Sequence, residues 1–310
     1  MTSNALSARS RALAALCVAV ALWCAPAQAQ SQEQSGAAAR EAELNAAYEA
    51  GIKAGTRGPA DIKLIDQATL AIPADTIFIP KAEGMRMLRA LGNTVSGDTH
   101  QGLVLGLKST DGWIVVVRYL KEGYIKDDEA KDWNADELLQ NLKEGTAESN
   151  KDRVARGFPE VEIIGWIEKP TYESKSHELV WSLRSKHKGE PDGGVNGVNY
   201  NTYALGREGY FSLNLLTDSS RVAGDKAVAR TLLGALDYNA GKRYDDFNMS
   251  TDRIAAYGIA ALIGGVAAKK LGLIAVIGAF LLKFAKVIAI GAAAFFGGIW
   301  KFFGRKRSQA

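Results

Sequence analysis

Three histidines supply the only imidazole groups in the chain, and one of them is placed for acid–base chemistry. His177 opens the segment HELVWSL, which has the length of a strand, whereas His187 lies between two lysines and His100 lies in a separate predicted element. An imidazole beside a carboxylate can take a proton from water and so start a hydrolysis. A histidine held structurally by a neighbouring hydrogen bond is the competing interpretation, which the position at a strand end favours. If the chain is an enzyme, the candidate catalytic residues are His177, Glu173, Asp218 and Arg207.

The sequence contains no local motif for a metal or a cofactor. The three histidines share no close helical spacing, so they form no local metal-binding pattern. There is no serine in a G-x-S-x-G turn, no phosphate-binding Walker loop and no dinucleotide-binding fingerprint. We therefore predict no cofactor and no metal, and we favour a protein without enzymatic activity.

The first 29 residues have the features of a secretory signal. Arg9 and Arg11 precede an apolar run at residues 12–23, and alternate alanines then offer small residues for cleavage. This arrangement predicts a signal peptide over residues 1–29. Both cysteines of the chain lie inside it, so the exported protein has no thiol for disulfides, nucleophilic catalysis or metal binding.

The stretch at residues 253–304 is almost wholly apolar and contains no Asp or Glu. An apolar helix of about 20 residues can cross a bilayer, and we place the crossing at residues 284–303, with residues 254–271 as the alternative. A buried helical hairpin in a soluble protein is the less favoured interpretation, because it would bury lysines without an acidic residue in the segment to pair with them. Since positive residues favour the cytoplasmic side, one crossing puts the basic residues 305–310 in the cytoplasm. The residues expected to anchor the chain are Phe284, Lys286, Trp300, Lys301, Arg305, Lys306 and Arg307.

The charge of the part between the two ends differs in sign from that of the whole chain. The formal net charge is +4, but residues 30–252 hold 27 basic and 34 acidic residues, because both ends carry basic residues only. Nucleic acid attracts basic surfaces, so the acidic balance of this domain argues against a nucleic-acid partner.

Residues 30–252 read as one exported domain that contains both strands and helices. In the segment after His177, the apolar residues Leu179, Trp181 and Leu183 alternate with polar ones, which is typical of a strand. Helices are predicted at residues 81–91, 135–156 and 222–238, and strands at residues 103–107, 113–119, 161–167, 177–185, 198–205 and 210–216. The fold class is therefore α+β, with a mostly antiparallel sheet and flanking helices, followed by a C-terminal transmembrane or membrane-associated helical segment.

The central block resembles the DUF2167 family of membrane-anchored proteins. The likeness lies in the segments GFPEVEIIGWIEKPTYESKSHELVWSL, NYNTYALGREGYFSLNLL and YDDFNMSTDRIAAYGIAALIGG, and with weaker segments it covers about residues 37–303. The resemblance implies an exported, membrane-anchored domain, and it assigns no catalytic residues.

These features together predict a bacterial inner-membrane protein. Its soluble domain would face the periplasm, where it would sense, scaffold or bind a partner without enzymatic activity, and its C-terminus would be cytoplasmic. The expected partners are the lipid bilayer and another envelope or membrane protein, or a second copy associating through the tail. Two alternatives are an envelope hydrolase that uses His177 with a nearby carboxylate and a subunit of a membrane assembly.

Overall fold

The computed structural model describes residues 39–108, 111–131, 133–191, 193–194 and 196–263. The helices are α1 (residues 39–54), α2 (Lys81–Ala90), α3 (Ala135–Ala155) and α4 (Val222–Gly234). The strands are β1 (Thr56–Arg57), β2 (Ala60–Leu64), β3 (Ala68–Ile72), β4 (Thr76–Pro80), β5 (His100–Gly106), β6 (Ile114–Leu120), β7 (Val161–Glu173), β8 (Glu178–His187), β9 (Gly197–Leu205), β10 (Tyr210–Asp218) and β11 (Leu236–Tyr238). Short 3₁₀ helices lie at Asp128–Lys131 and Tyr244–Asp246.

Eight strands form one antiparallel sheet in the order β1-β4-β5-β6-β10-β9-β8-β7. A second antiparallel sheet has the order β11-β3-β2. Neighbours in sequence are mostly neighbours in the large sheet, as short connections between antiparallel strands require. The predicted fold class is confirmed in its main part: the domain is α+β, with a large antiparallel sheet and flanking helices.

Both faces of the large sheet are covered, because successive side chains of a strand point to opposite faces. On β6, Val115 and Val117 pack in a core shared with α4 and the small sheet, whereas Val116 packs in a core with α1 and α2. On β8, Val180 joins the first of these cores, while Trp181 lies in a further core beneath α3. The helices therefore flank the sheet on both sides.

The start of α3 follows from a single side chain. Asn134 Oδ1 accepts hydrogen bonds from the backbone N–H groups of Asp136 and Glu137, at 3.0 and 3.4 Å. These N–H groups have no partner inside a helix, so a side-chain acceptor at this position fixes where the helix begins. The two acids in the first turn also suit the positive end of the helix dipole.

Two element boundaries differ from the prediction for physical reasons. β7 continues through Pro170 to Glu173, although the strand was expected to end at residue 167. It can do so because β7 lies at the edge of the sheet, where a proline lacking an N–H is tolerated, and the register with β8 shifts there. α4 ends at Gly234, because residues 236–238 pair with β3 as β11 instead of continuing the helix.

The first residues of the segment predicted to anchor the chain pack on the domain. The backbone of Tyr124 donates to the carbonyl of Arg253 and accepts from the N–H of Ala255, at 2.8 and 2.9 Å. Ile259 and Ile263 are fully buried in the core that α3 covers. These contacts continue the domain eleven residues past its expected end at residue 252, over the start of the alternative crossing at residues 254–271.

The seven residues expected to anchor the chain, from Phe284 to Arg307, lie outside the described residues, as do residues 1–38. Within the part of the chain that the structure describes, no helix is long and apolar enough to cross a membrane.

Candidate functional site

His177 lies in the tight turn between β7 and β8 with a backbone φ of +55°. This left-handed conformation costs a non-glycine residue on the order of 1 kcal/mol, so the surrounding contacts must hold it. One of them is a hydrogen bond from the N–H of Leu205 to the His177 carbonyl, at 3.0 Å. The turn is thereby tied to the end of β9.

The ring of His177 lies between two carboxylates. Its Nδ1 is 3.1 Å from the hydroxyl of Tyr172, which donates to Oδ2 of Asp127 at 2.7 Å. Its Nε2 is 3.3 Å from Oδ1 of Asp245. The hydroxyl proton of Tyr172 is directed at Asp127, so the phenol oxygen is left to accept a hydrogen bond from Nδ1 of His177. We call these four residues the His177 cluster.

An aromatic stack covers one face of the ring. The centroids of His177 and Tyr244 are 4.0 Å apart and their planes are nearly parallel. Tyr244 continues the stack to Tyr124, and Tyr124 to Phe247, at centroid distances of 4.4 and 3.8 Å. The hydroxyl of Tyr244 donates to the carbonyl of Ile125 at 2.8 Å. The stack joins the turn at His177 to the segment that leads toward the C-terminus.

The two phenols of this site stay protonated. Burial is the main cause that raises the pKa of Tyr172, and the hydrogen bond to the Asp127 carboxylate raises it further. Burial likewise raises the pKa of Tyr244, followed by its contact with Tyr124 and the charge of Asp127. Both side chains therefore act as neutral hydroxyl donors at physiological pH.

The two carboxylates proposed from the sequence, Glu173 and Asp218, form their hydrogen bonds with groups other than the imidazole of His177. Glu173 is the last residue of β7, just before the turn that holds His177, and its carboxylate accepts a hydrogen bond from the N–H of Lys175. Asp218 accepts from Ser220 and Arg221 at the start of α4. Among the described residues, neither carboxylate is a hydrogen-bond or ion-pair partner of His177.

Arg207, the fourth candidate, holds a different carboxylate. Its Nε and Nη2 donate to the two oxygens of Asp252 at 2.6 and 2.8 Å, and its Nη1 donates to the carbonyl of Gly241 at 3.1 Å. These hydrogen bonds hold the pKa of Asp252 well below its usual range. Arg207 also lines a cavity of about 380 Å³ together with Lys121 and Glu208. It thus ties the β9–β10 turn to the chain just before residues 253–263.

Sequence reasoning identified the histidine but not its partners. Asp127 and Asp245 lie far from His177 in sequence on either side, so only the folded sheet brings them together. The available signal was two short acidic runs, DDE at residues 127–129 and YDD at residues 244–246. The structure shows no group of three or more His, Cys, Asp or Glu among its described residues that could hold a metal ion.

With this geometry established, comparison with known proteins decides the family. The model of a family described as a protein of unknown function, DUF2167, matches residues 56–294. The chain belongs to the DUF2167 family. This confirms the resemblance found in the sequence, and the DUF2167 match spans the whole His177 cluster as well as the apolar sequence up to residue 294.

Other comparisons give distant similarities only. No curated protein matches the chain. The solution structure of cyanobacterial PsbP (CyanoP) from Synechocystis sp. PCC 6803 is 12% identical, covers 61% of this chain and 95% of its own, and has a TM-score of 0.36. The Saccharomyces cerevisiae Ran-binding protein Mog1p is 11% identical, covers 62% of this chain and 100% of its own, and has a TM-score of 0.32. At these TM-scores the overlap carries no functional meaning.

Proposed function

We propose that this DUF2167 protein is an exported binding domain of the bacterial cell envelope, held at the inner membrane by its C-terminal apolar segment. The observation that supports the proposal most is the burial of residues 257–263. Ile263 is almost completely buried in the domain, and the sequence passes from it directly into an apolar stretch without acidic residues. Residues 264–283, between Ile263 and the expected crossing at residues 284–303, hold three lysines and no acidic residue, so this connection would lie at the bilayer surface and keep the domain close to it.

The charges at the two ends agree with this orientation. The signal at residues 1–29 would deliver the domain to the periplasm, and the basic residues Arg305, Lys306 and Arg307 would stay in the cytoplasm after a single crossing at residues 284–303. Lys286 and Lys301 lie near the ends of that span, where long side chains can reach the interface.

A reporter fusion tests the orientation. An enzyme that is active only in the periplasm is fused after Gln309, and a matched fusion is made after Ile263. We expect activity from the Ile263 fusion and none from the Gln309 fusion. Activity from both fusions would overturn the single crossing.

A second experiment tests the binding role. Crosslinking in intact cells, followed by purification of the full chain, should recover a specific envelope protein. Recovery of stoichiometric copies of this chain, or of a membrane complex that is lost when residues 264–310 are removed, would instead support a subunit of a membrane assembly. Recovery of no protein beyond the controls would contradict a protein-binding role.

One observation favours a hydrolase as a second candidate. The hydroxyl of Tyr172 contacts both the Asp127 carboxylate and Nδ1 of His177. A general base is oriented in this way, through one ring nitrogen, so that the other nitrogen can accept a proton. Among the described residues, the polar contact of Nε2 is with Asp245, whose side chain is 87% exposed, so a substrate that displaced this carboxylate would reach the ring from solvent. Hydrolysis of chromogenic ester or phosphate substrates by the wild type, lost in both His177→Asn and Asp127→Asn, would establish this activity. Equal rates in all three proteins would exclude the cluster as its source.

A further inference from the structure

His100 is a fully buried imidazole that lies outside the His177 cluster. It is the first residue of β5, and its ring lies under α2, where a Cβ added at Gly84 would come within 2.8 Å of Nε2. Neither ring nitrogen has a hydrogen-bond partner among the described residues. An unpaired buried polar group is destabilising, and an apolar side chain at this position would avoid the loss. A polar group kept under these conditions is a candidate for a function.

The charges that act on this ring are positive. Arg118 on β6 is the cross-strand partner of His100, and Lys81 and Arg89 lie at the two ends of α2. Burial is the main cause that lowers the pKa of His100, and the three cations lower it further. The folded domain therefore holds the ring in its neutral form at neutral pH.

The acidic side chains on the surrounding elements do not bond to the ring. Glu83 lies on α2 and Asp98 in the loop before β5, and neither forms a hydrogen bond with His100. The remaining charged residue of α2, Arg86, is paired with Glu43 of α1. A proton on His100 would thus add a buried positive charge next to three others, with no carboxylate to receive it.

α1 and α2 form a layer of their own on the sheet. Their apolar side chains pack with β4, β5 and β6 in one core, which includes Ala47, Met87 and Leu103. This core shares no residue with the core under α4 or with the core under α3. The two hydrogen bonds from Arg86 to Glu43, at 2.7 and 2.9 Å, join the helices to each other. The layer is therefore held together separately from the other two cores.

α2 depends on this packing to stay folded. Its N-cap residue is Pro80, and no side chain accepts a hydrogen bond from the first N–H groups of the helix. The helix has 10 residues, and a helix of this length is not stable in water by itself. A change that weakens the contact of α2 with the sheet around His100 would therefore release it.

We propose that His100 is an acid-sensitive switch whose protonation releases α2, together with α1, from the sheet. A charged ring needs water, and water reaches this ring only when α2 moves away. The released state exposes apolar residues of the core beneath the helices, among them Met87, Leu88 and Leu103. An exported domain meets the acidity of its surroundings, so the use of the switch rests on the proposed function. The switch itself is tested on the purified chain.

Hydrogen exchange of the backbone amides of α2 measures the release. Because the pKa of His100 is about 4 when buried and about 6.5 when exposed, the population of the open state should rise about 70-fold from pH 7.5 to pH 4.5. Protection factors compare the observed exchange with that of an unstructured chain at the same pH. In residues 81–90 of the full chain in detergent, they should fall by this ratio. Equal protection at the two pH values would overturn the proposal.

Urea separates the release of α2 from unfolding of the whole domain. Local release exposes little surface, so the protection of residues 81–90 at pH 4.5 should change only slightly as urea is added. The protection of β10 should fall steeply, because its amides exchange when the domain unfolds. The same steep dependence in both elements would show that α2 opens only with the whole domain, which contradicts the switch.

Three variants test the role of His100 itself. His100→Gln carries no titrating ring, so the protection of residues 81–90 should be nearly equal at the two pH values. Lys81→Gln removes one cation that disfavours the protonated ring, so its loss of protection should be smaller than that of the wild type. The exposed control His187→Gln should behave as the wild type does.

Two results with these variants would refute the switch. One is a loss of protection in His100→Gln as large as in the wild type, and the other is an equal or larger loss in Lys81→Gln. Neither result depends on the reporter fusions, so failure of the switch and failure of the proposed membrane topology are distinguishable.

Discussion

The imidazole of His177 stacks on the phenol ring of Tyr244, with 4.0 Å between the ring centroids. His177 lies in the turn between β7 and β8, and Tyr244 lies in the segment that leads into residues 253–263. The stack, with the contacts of the ring nitrogens to Tyr172 and Asp245, fastens the C-terminal part of the domain to the strands.

Removing this ring should destabilise the domain. His177→Asn keeps a residue that tolerates the positive φ but loses the stack and at least one hydrogen bond, so we expect a loss of about 1–2 kcal/mol in the free energy of unfolding. Urea unfolding followed by tryptophan fluorescence measures it. His187→Asn is the control, because His187 is exposed at the end of β8, and it should change stability little. Equal stabilities for the two variants would contradict the role given to His177.

A second prediction concerns where the domain ends. A chain that stops after Asp252 loses the buried side chains of Tyr257, Ile259, Leu262 and Ile263, whereas a chain that stops after Ile263 keeps them. Burying one such apolar side chain contributes about 1.5–3 kcal/mol, so the shorter chain should unfold at a markedly lower temperature. Circular dichroism on heating measures the difference, and identical midpoints would show that residues 253–263 add nothing to the core.

Acid should weaken the domain through His100. This side chain is fully buried, and neither ring nitrogen finds a hydrogen-bond partner among the described residues. Burial, followed by the charges of Arg118, Lys81 and Arg89, lowers the pKa of His100 to about 4. Since the folded pKa lies below the unfolded value, the unfolded chain binds the proton more readily, and stability present above about pH 6.5 is lost as the pH falls toward 4.

The loss attributable to His100 is at most about 3.5 kcal/mol over that interval, since one pKa unit corresponds to about 1.4 kcal/mol. Urea unfolding at a series of pH values measures it. His100→Gln should flatten the slope between pH 6.5 and 4, and the exposed control His187→Gln should retain the wild-type slope. A His100→Gln protein with an unchanged slope would place the acid sensitivity in other groups.

Gly206 provides a test of the packing between β9 and β11. A Cβ at this position would lie 2.5 Å from the ring of Tyr238, whose buried hydroxyl donates to the carbonyl of Ala204. Gly206→Ala should therefore cost about 1–3 kcal/mol of stability. Gly224 is the matched control, because it lies in α4 with open space around it, and Gly224→Ala should stabilise the helix by about 0.5–1 kcal/mol. Thermal unfolding of the two variants should shift in opposite directions, and a shift in the same direction would contradict this packing.

Local patterns were sufficient to predict most of the sheet. The alternation of Leu179, Trp181 and Leu183 predicts β8, and Asn134 predicts the start of α3, because both signals act within a few residues. The edge position of β7 could not be predicted, since only the strand order shows why Pro170 is tolerated there. Residues 236–238 were expected to form the last turn of α4, but they pair with β3. This pairing is also a long-range contact, so the local sequence could not predict it.

The candidate site was predictable only in part, for the same reason. His177 could be selected because histidine is rare in this chain, but Asp127 and Asp245 come from separate loops that meet only after folding. Residues 254–263 have the composition of a membrane segment, yet apolar residues serve equally well inside a core.

The most direct test of the proposed membrane attachment compares the full chain with a chain that stops after Ile263, both expressed with the signal sequence. Cells are broken, and membranes are collected and washed with high salt and then alkaline carbonate, which remove proteins held only by charge. We predict that the full chain stays in the pellet until detergent is added, and that the shorter chain is recovered folded in the periplasmic fraction. A full chain that washes off with carbonate, or a shorter chain that remains in the pellet, would contradict attachment through residues 264–310.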